Sequence, residues 1–275
     1  MSKFFLSFII LVLFNNCTEV VPIELNTNNR KLVIEANINW EKETDGQVQT
    51  IKLTTTTDFY TNIIPVVSDA IVQVTNIDTN EKFNFLEEDK TGIYKCTSFV
   101  PITNNNYRLE IIAQGKTYTS TEKLMAVSPI SEITQVNNSG INGRSIRIQA
   151  FFLDPRNISN FYLFNYNYRK EDESFTKPVF YVSKDSFYDG NPFFSGTFRD
   201  SIESGDLIRI THFGISQNYF NYLTILLRLA NQNGGPFSAP PVAVRGNIVN
   251  INDDNDSPFG YFSLSESDFK DYTVK

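Results

Sequence analysis

The chain is short of the residues from which reactive centres are most often built: its 275 positions include one histidine, two cysteines and one tryptophan. The single histidine, His212, leaves little room for a histidine-built metal centre and would have to serve alone in any Ser-His-Asp arrangement. It alternates with Ile208 and Ile210 in LIRITHF, which predicts a core position rather than a catalytic base. There is no GxSxG, P-loop or GxGxxG stretch, so acyl transfer and nucleotide chemistry have no foothold. Paired carboxylates for glycoside hydrolysis can lie far apart in sequence, and nothing here selects a pair. Basic charge is also scarce. With 24 Lys and Arg against 31 Asp and Glu, the net charge of −7 repels phosphate backbones, so no nucleic-acid partner is expected. No cofactor is expected, and neither is an enzymatic activity.

Long apolar runs are missing as well. The longest, Phe4 to Phe14, falls short of the roughly 20 residues needed to cross a bilayer. Preceded by Lys3 and ended by Asn15-Asn16-Cys17, it has the charged n-region and short h-region of an export signal, residues 1–16. Cys17 directly after that run resembles the lipidation box of bacterial lipoproteins, with Asn16 departing from the small residue usual there. Acyl chains on Cys17 would anchor the protein, each buried methylene contributing about 0.8 kcal/mol. Residues 17–30, polar and containing proline, read as a tether. If Cys17 carries lipid, Cys96 has no partner and no disulfide forms; in GIYKC it shares a face with Tyr94 and is expected to be a buried thiol.

Abundant aromatic residues, 24 Phe and 13 Tyr, favour strands. Leu32, Ile34, Ala36 and Ile38 alternate with Val33, Glu35, Asn37 and Asn39 at the period of a half-buried strand. Further short strands up to KTYTSTEKL, separated by Asp-Thr-Asn, Lys-Thr-Gly and Asn-Asn-Asn turns, predict an immunoglobulin-like β-sandwich over 31–127. Residues 128–275 predict a second β-rich sandwich or barrel, giving a mainly all-β protein. One helix interrupts it at about 216–232, where Tyr219, Phe220, Leu223, Leu226, Leu227 and Ala230 recur at helical spacing, Ser216 caps and Gly234-Gly235-Pro236 stops.

Two clusters are candidate sites. Tyr162, Tyr166 and Tyr168, with Phe164, form an aromatic ladder that reads first as cross-strand core packing and alternatively as a stacking platform for a sugar or peptide. Asp253, Asp254 and Asp256 are oxygen-rich enough to suggest calcium but lack EF-hand spacing, so an exposed acidic turn is expected and no metal.

Several stretches in order, CTEVVPIEL, KLVIEANIN, DGQVQTIKLTTTTDFY, YRLEIIAQGKTYTSTEKL, FFLDPRNISNFYLF, GGPFSAPPVAVRGNI and PFGYFSLS, resemble the Bacteroidota family catalogued as domain of unknown function 4249. The resemblance implies an outer-membrane lipoprotein, often encoded beside a TonB-dependent receptor, with no established activity and no catalytic residues to carry over. The expectation is therefore a lipid-anchored accessory or binding component working with such a receptor barrel in ligand uptake. The alternative is a free-standing surface adhesin or a glycan- or peptide-binding module.

Overall fold

The alternation at the start of the body becomes strand β1 (Leu32–Glu41), which buries Leu32, Ile34, Ala36 and Ile38 and turns Glu35, Asn37 and Asn39 outward. The computed structural model describes residues 30–58, 61, 63–139, 145–170, 173–199, 202–230 and 244–275. The export segment, Cys17 and the expected tether up to residue 29 lie outside them.

Strands β2 (Gln49–Thr55), β3 (Ile71–Asn76), β4 (Lys82–Glu87), β5 (Ile93–Cys96), β6 (Asn106–Ala113) and β7 (Lys116–Met125) follow β1 in the spatial order β1-β2-β5-β4-β3-β6-β7. Every neighbouring pair in that run is antiparallel. The eighth member comes from the far end of the chain. Strand β15 (Phe259–Thr273) lies parallel to β1, Val33 facing Phe259 and Glu41 facing Ser267, and parallel to β7, Leu264 facing Leu124. It thereby closes the strands into a barrel-like ring. A parallel partner cannot come from a tight hairpin, so the two edges of an otherwise open sheet are joined by a strand that the sequence places in the C-terminal region. Ile34, Ile38, Ile51, Phe83, Phe99, Tyr107 and Phe262 fill the ring. Cys96 lies among them as a free, buried thiol.

The second half of β15 carries the sheet onward. Strands β10 (Phe161–Arg169), β11 (Val179–Lys184) and β13 (Leu207–Ile215) extend from it in the order β11-β10-β13-β15, all antiparallel. A three-stranded sheet of β12 (Pro192–Arg199), β9 (Ser145–Leu153) and β8 (Ile130–Ser139) supplies the facing layer. Ile148, Ala150 and Phe152 of β9 share the core with Tyr162, Phe164, Tyr166, Ile208 and Ile210. The change of core falls where the chain passes from Leu124, in the first, to Val127, in the second. Residues 31–275 nevertheless form one compact unit, because β15 belongs to both layers.

Helix α1 (Gln217–Ala230) begins where the sequence places it. The Tyr219 N–H donates to Ser216 Oγ at 3.1 Å, an N-cap bond to one of the first-turn amides that have no intrahelical partner. Leu223 is buried against Leu163 and Ile215, with Phe161, Val182 and Phe213 around it. Leu226, at helical spacing for the same face, is instead 38% exposed, because the contact is centred on Tyr219, Phe220 and Leu223. A short strand β14 (Val249–Asn250) pairs with β7 and leads into β15. Among the described residues, no helix is long and apolar enough to cross a membrane.

Candidate functional site

The aromatic ladder is core. Tyr162, Tyr166 and Tyr168 are at most 6% exposed, and each hydroxyl is held inside: Tyr162 donates to Asp154 Oδ1 at 2.5 Å, Tyr166 to Ser195 Oγ at 2.9 Å, and Tyr168 shares a bond with Thr197 Oγ1 at 2.8 Å. Burial raises the phenol pKa of Tyr162 and Tyr166 well above the ordinary tyrosine value, so both stay neutral donors. No ring of the ladder is left for a ligand to stack on. His212 is sealed in the same core. It is stacked on Phe164 at 4.2 Å and flanked by Phe152 at 4.6 Å and Tyr162 at 4.8 Å, and it is fully buried. Neither ring nitrogen has a partner in hydrogen-bond geometry. Burial holds its pKa down to about 3, the backbone of Ser128 opposing this only in part.

The C-terminal acidic turn is exposed and internally tied. Asp253 Oδ1 accepts the Asn255 N–H, and Asp256 is paired with Lys116 Nζ at 2.5 Å. Asp254 faces a surface groove. The three do not converge on one point. A tighter acidic trio, not expected from the sequence, is formed by Asp154, Asp185 and Asp189, whose carboxylate oxygens lie within 4.8 Å of one another. Each is already engaged between two loops. Asp154 accepts from Tyr162 and the Gly190 N–H, Asp185 from the Asn160 N–H at 2.6 Å, and Asp189 from the Asn157 N–H at 2.8 Å. These bonds staple residues 154–160 to residues 185–191. No local signal marks them, because the loops meet only when β10 and β11 pair.

The site that is open and carries recognition chemistry lies where residue 31 enters the body. The first turns of α1 supply Asn218, Asn221, Tyr222 and Ile225, spaced so that all four share one face. Opposite stand Arg245, Gly246 and Asn247, and Tyr261 of β15 forms the floor, its ring 4.8 Å from that of Tyr222. This cavity of about 460 Å³ meets a second of about 300 Å³, and Val244 and Arg245 line both. In the second, Lys31 lies over the Phe259 ring at 5.8 Å, with Asp254 also on its wall.

Two features hold the floor in place. Asn247 uses its amide on β15, donating from Nδ2 to the Phe262 carbonyl at 2.8 Å and accepting the Phe262 N–H at Oδ1 at 2.9 Å. Behind Tyr261 lies a buried carboxylate, Glu122 of β7. Its Oε2 accepts from Tyr261 at 3.2 Å and from the cap residue Ser216 at 3.0 Å, and its Oε1 accepts the Lys123 N–H at 3.1 Å. Burial raises the Glu122 pKa despite those three donors. The folded state therefore carries a desolvation penalty whenever Glu122 is charged. Glu122→Gln should stabilise the protein at neutral pH by about 1 kcal/mol, reorienting its amide to serve the same three groups. The sign follows from linkage: a carboxyl with a raised folded pKa favours the folded state on protonation, so the advantage of Gln should vanish as pH falls below 4.5. Urea midpoints of the two proteins at pH 4 and pH 7.5 would show it, and an equal or larger gain at pH 4 would refute it.

The sequence marks α1 as amphipathic but not its polar face as one wall of a groove. Arg245 and Tyr261 carry no local pattern that joins them to α1.

A family model described as domain of unknown function (DUF4249) matches residues 18–271. No curated protein matches the chain. Among solved structures, the chain is similar to a DUF4785 family protein from Legionella pneumophila subsp. pneumophila str. Philadelphia 1, at 8% identity and a TM-score of 0.26. The match covers 66% of this chain and 52% of the other, so the chain spans about half the length of that protein.

Proposed function

Given that the chain belongs to the DUF4249 family, whose model covers nearly all of it, we propose that it is a non-catalytic binding component of the outer membrane, anchored through lipid on Cys17. Its partner is a TonB-dependent receptor barrel. The observation that carries the binding role is the groove. It is lined by tyrosine, asparagine and arginine, groups that recognise rather than react, and it opens at Lys31, where the expected tether joins the body. The one histidine lies beneath three aromatic rings and reaches no solvent. The export pattern Lys3, Phe4 to Phe14 and Cys17 supports the anchor, and the family resemblance is the support for the receptor.

Recovery of the tagged protein from its native membrane in mild detergent, followed by mass spectrometry, tests both parts. Wild type should bring down a β-barrel receptor in near-stoichiometric amount, and Cys17→Ala should move the protein to the soluble fraction and lose the receptor. A Cys17→Ala protein still membrane-bound and fully processed would remove the anchor. Wild type recovered alone would leave the second reading, a free-standing surface binder.

A further inference from the structure

We infer that the groove between α1 and Arg245 is a binding site for a short acidic glycan, with Arg245 receiving the ligand's carboxylate and the half-buried Tyr222 ring, backed by the buried Tyr261, receiving the apolar face of a sugar ring. The inference rests on the chain being a binding component but not on its anchor.

Charge is the first argument. In a protein of net charge −7 the two cations on the groove wall, Lys31 and Arg245, pair with no carboxylate among the described residues. Arg245 makes one hydrogen bond there, from Nη2 to Ser257 Oγ at 3.1 Å, which orients the guanidinium and leaves most of its donors unused. An exposed arginine with donors in a planar fork is suited to a carboxylate. Asp254 lies on the wall of the smaller cavity, where it accepts from hydroxyls and repels a second carboxylate. Arg245 also lines the larger cavity, which Asp254 does not, so the acid group of the ligand is directed to the larger cavity's side of Arg245.

The uncharged lining is the second. Asn218 and Asn221 are exposed on α1, and each offers a donor pair and an acceptor, the complement of adjacent hydroxyls. Tyr222 adds an aromatic wall, and Tyr261, buried beneath it, backs that wall. Tyr261 is fixed by its bond to Glu122, so little side-chain entropy remains to be lost on binding. A 460 Å³ cavity that meets one of 300 Å³ is in the size range of small-molecule sites and takes several sugar rings rather than one.

The third argument separates a glycan from a peptide. An extended peptide is usually bound by adding a strand to a free sheet edge. Here β15 is paired to β1 along one side from Phe259 to Ser267, and on the other Asn247 occupies both backbone groups of Phe262. The floor of the groove has no free ladder for a peptide to join, and recognition is left to side chains.

The test is calorimetric titration of the full-length, detergent-solubilised protein with trigalacturonate, trimannuronate and triguluronate, their neutral counterparts galactotriose and mannotriose, and a tripeptide with a free carboxylate. At least one acidic trisaccharide should bind about 10-fold or more tightly than any neutral one, and Arg245→Ala should remove that preference. Tyr222→Ala should weaken acidic and neutral sugars alike. Arg245 is exposed, so an unchanged melting temperature verifies that the variant folds, with Arg245→Gln as a second variant. Binding of no acidic sugar above the neutral ones, a preference that survives Arg245→Ala, or binding of the tripeptide alone would each overturn the assignment. Membrane fractionation and receptor recovery with Cys17→Ala leave the groove intact, so failure of the groove and failure of the anchored role are read separately.

Discussion

His212→Phe should make the fold markedly more resistant to acid. In the folded chain His212 is fully buried among Phe152, Tyr162 and Phe164 with a pKa near 3, while in the unfolded chain it titrates near 6.5. A folded pKa below the unfolded one means that protons bind the unfolded state more tightly. The stability held by neutral His212 is therefore complete above pH 6.5 and is lost as pH falls from there towards 3. The full loss is on the order of 5 kcal/mol, at 1.36 kcal/mol per pKa unit. Few other groups face the ring with charge. Asp268, its cross-strand partner on β15, turns its carboxylate to the Ile130 N–H at 2.7 Å, and Asp154 reaches the pocket only through Tyr162. Phenylalanine can keep the stacking on Phe164 and has no nitrogen to protonate. Denaturant midpoints of wild type and variant, taken in steps from pH 7.5 to pH 4, should diverge steadily in the variant's favour. Parallel curves over that range would show that the imidazole is solvated in the native protein.

Gly260→Ala is the substitution expected to damage the fold most. Gly260 has φ +107° and stands opposite Ile34 in the parallel β1–β15 pairing, and a β-carbon built on it falls inside the contact radius of the Ile34 carbonyl. A β-carbon built on Gly246 would likewise fall inside the contact radius of the Gly260 carbonyl, so backbone packs closely on that side of Gly260 as well. Strain from the positive φ and from forced separation of the strands together should cost on the order of 3 kcal/mol or more. Gly115→Ala is the control. It also has a positive φ, +74°, but nothing lies within 4 Å of its added carbon, so only the conformational term of about 1 kcal/mol remains. Unfolding curves in guanidinium would compare them directly, and a Gly260→Ala protein no weaker than Gly115→Ala would mean that β1 and β15 are not in this register. Because Gly260 lies between Phe259 and Tyr261, which line the two parts of the groove, the same substitution should also abolish ligand binding.

What could be read from the chain alone was local and periodic. Alternation from Leu32 to Ile38 specified a strand and its inward face, the alternation of His212 with Ile208 and Ile210 specified a core position, and Ser216 specified where α1 starts. Each of these signals is contained within about a dozen residues, and burial of one face is enough to produce it. The mainly β class, the helix and the core role of the tyrosine ladder follow from the same kind of information.

Which strands become neighbours is not encoded in that way. A period-two pattern says which side of a strand is buried but not which strand lies beside it. The closure of the ring by β15, the meeting of the 154–160 and 185–191 loops at three aspartates, and the groove that gathers Lys31, Asn218, Tyr222, Arg245 and Tyr261 all join residues from separate parts of the chain. Local alternation therefore determined the elements and the chemistry withheld from them. Only the parallel seating of the last strand between β1 and β7 decided where an accessible site could form, because that pairing satisfies two open sheet edges at once and brings the helix, the entry of the chain and Arg245 to the same rim.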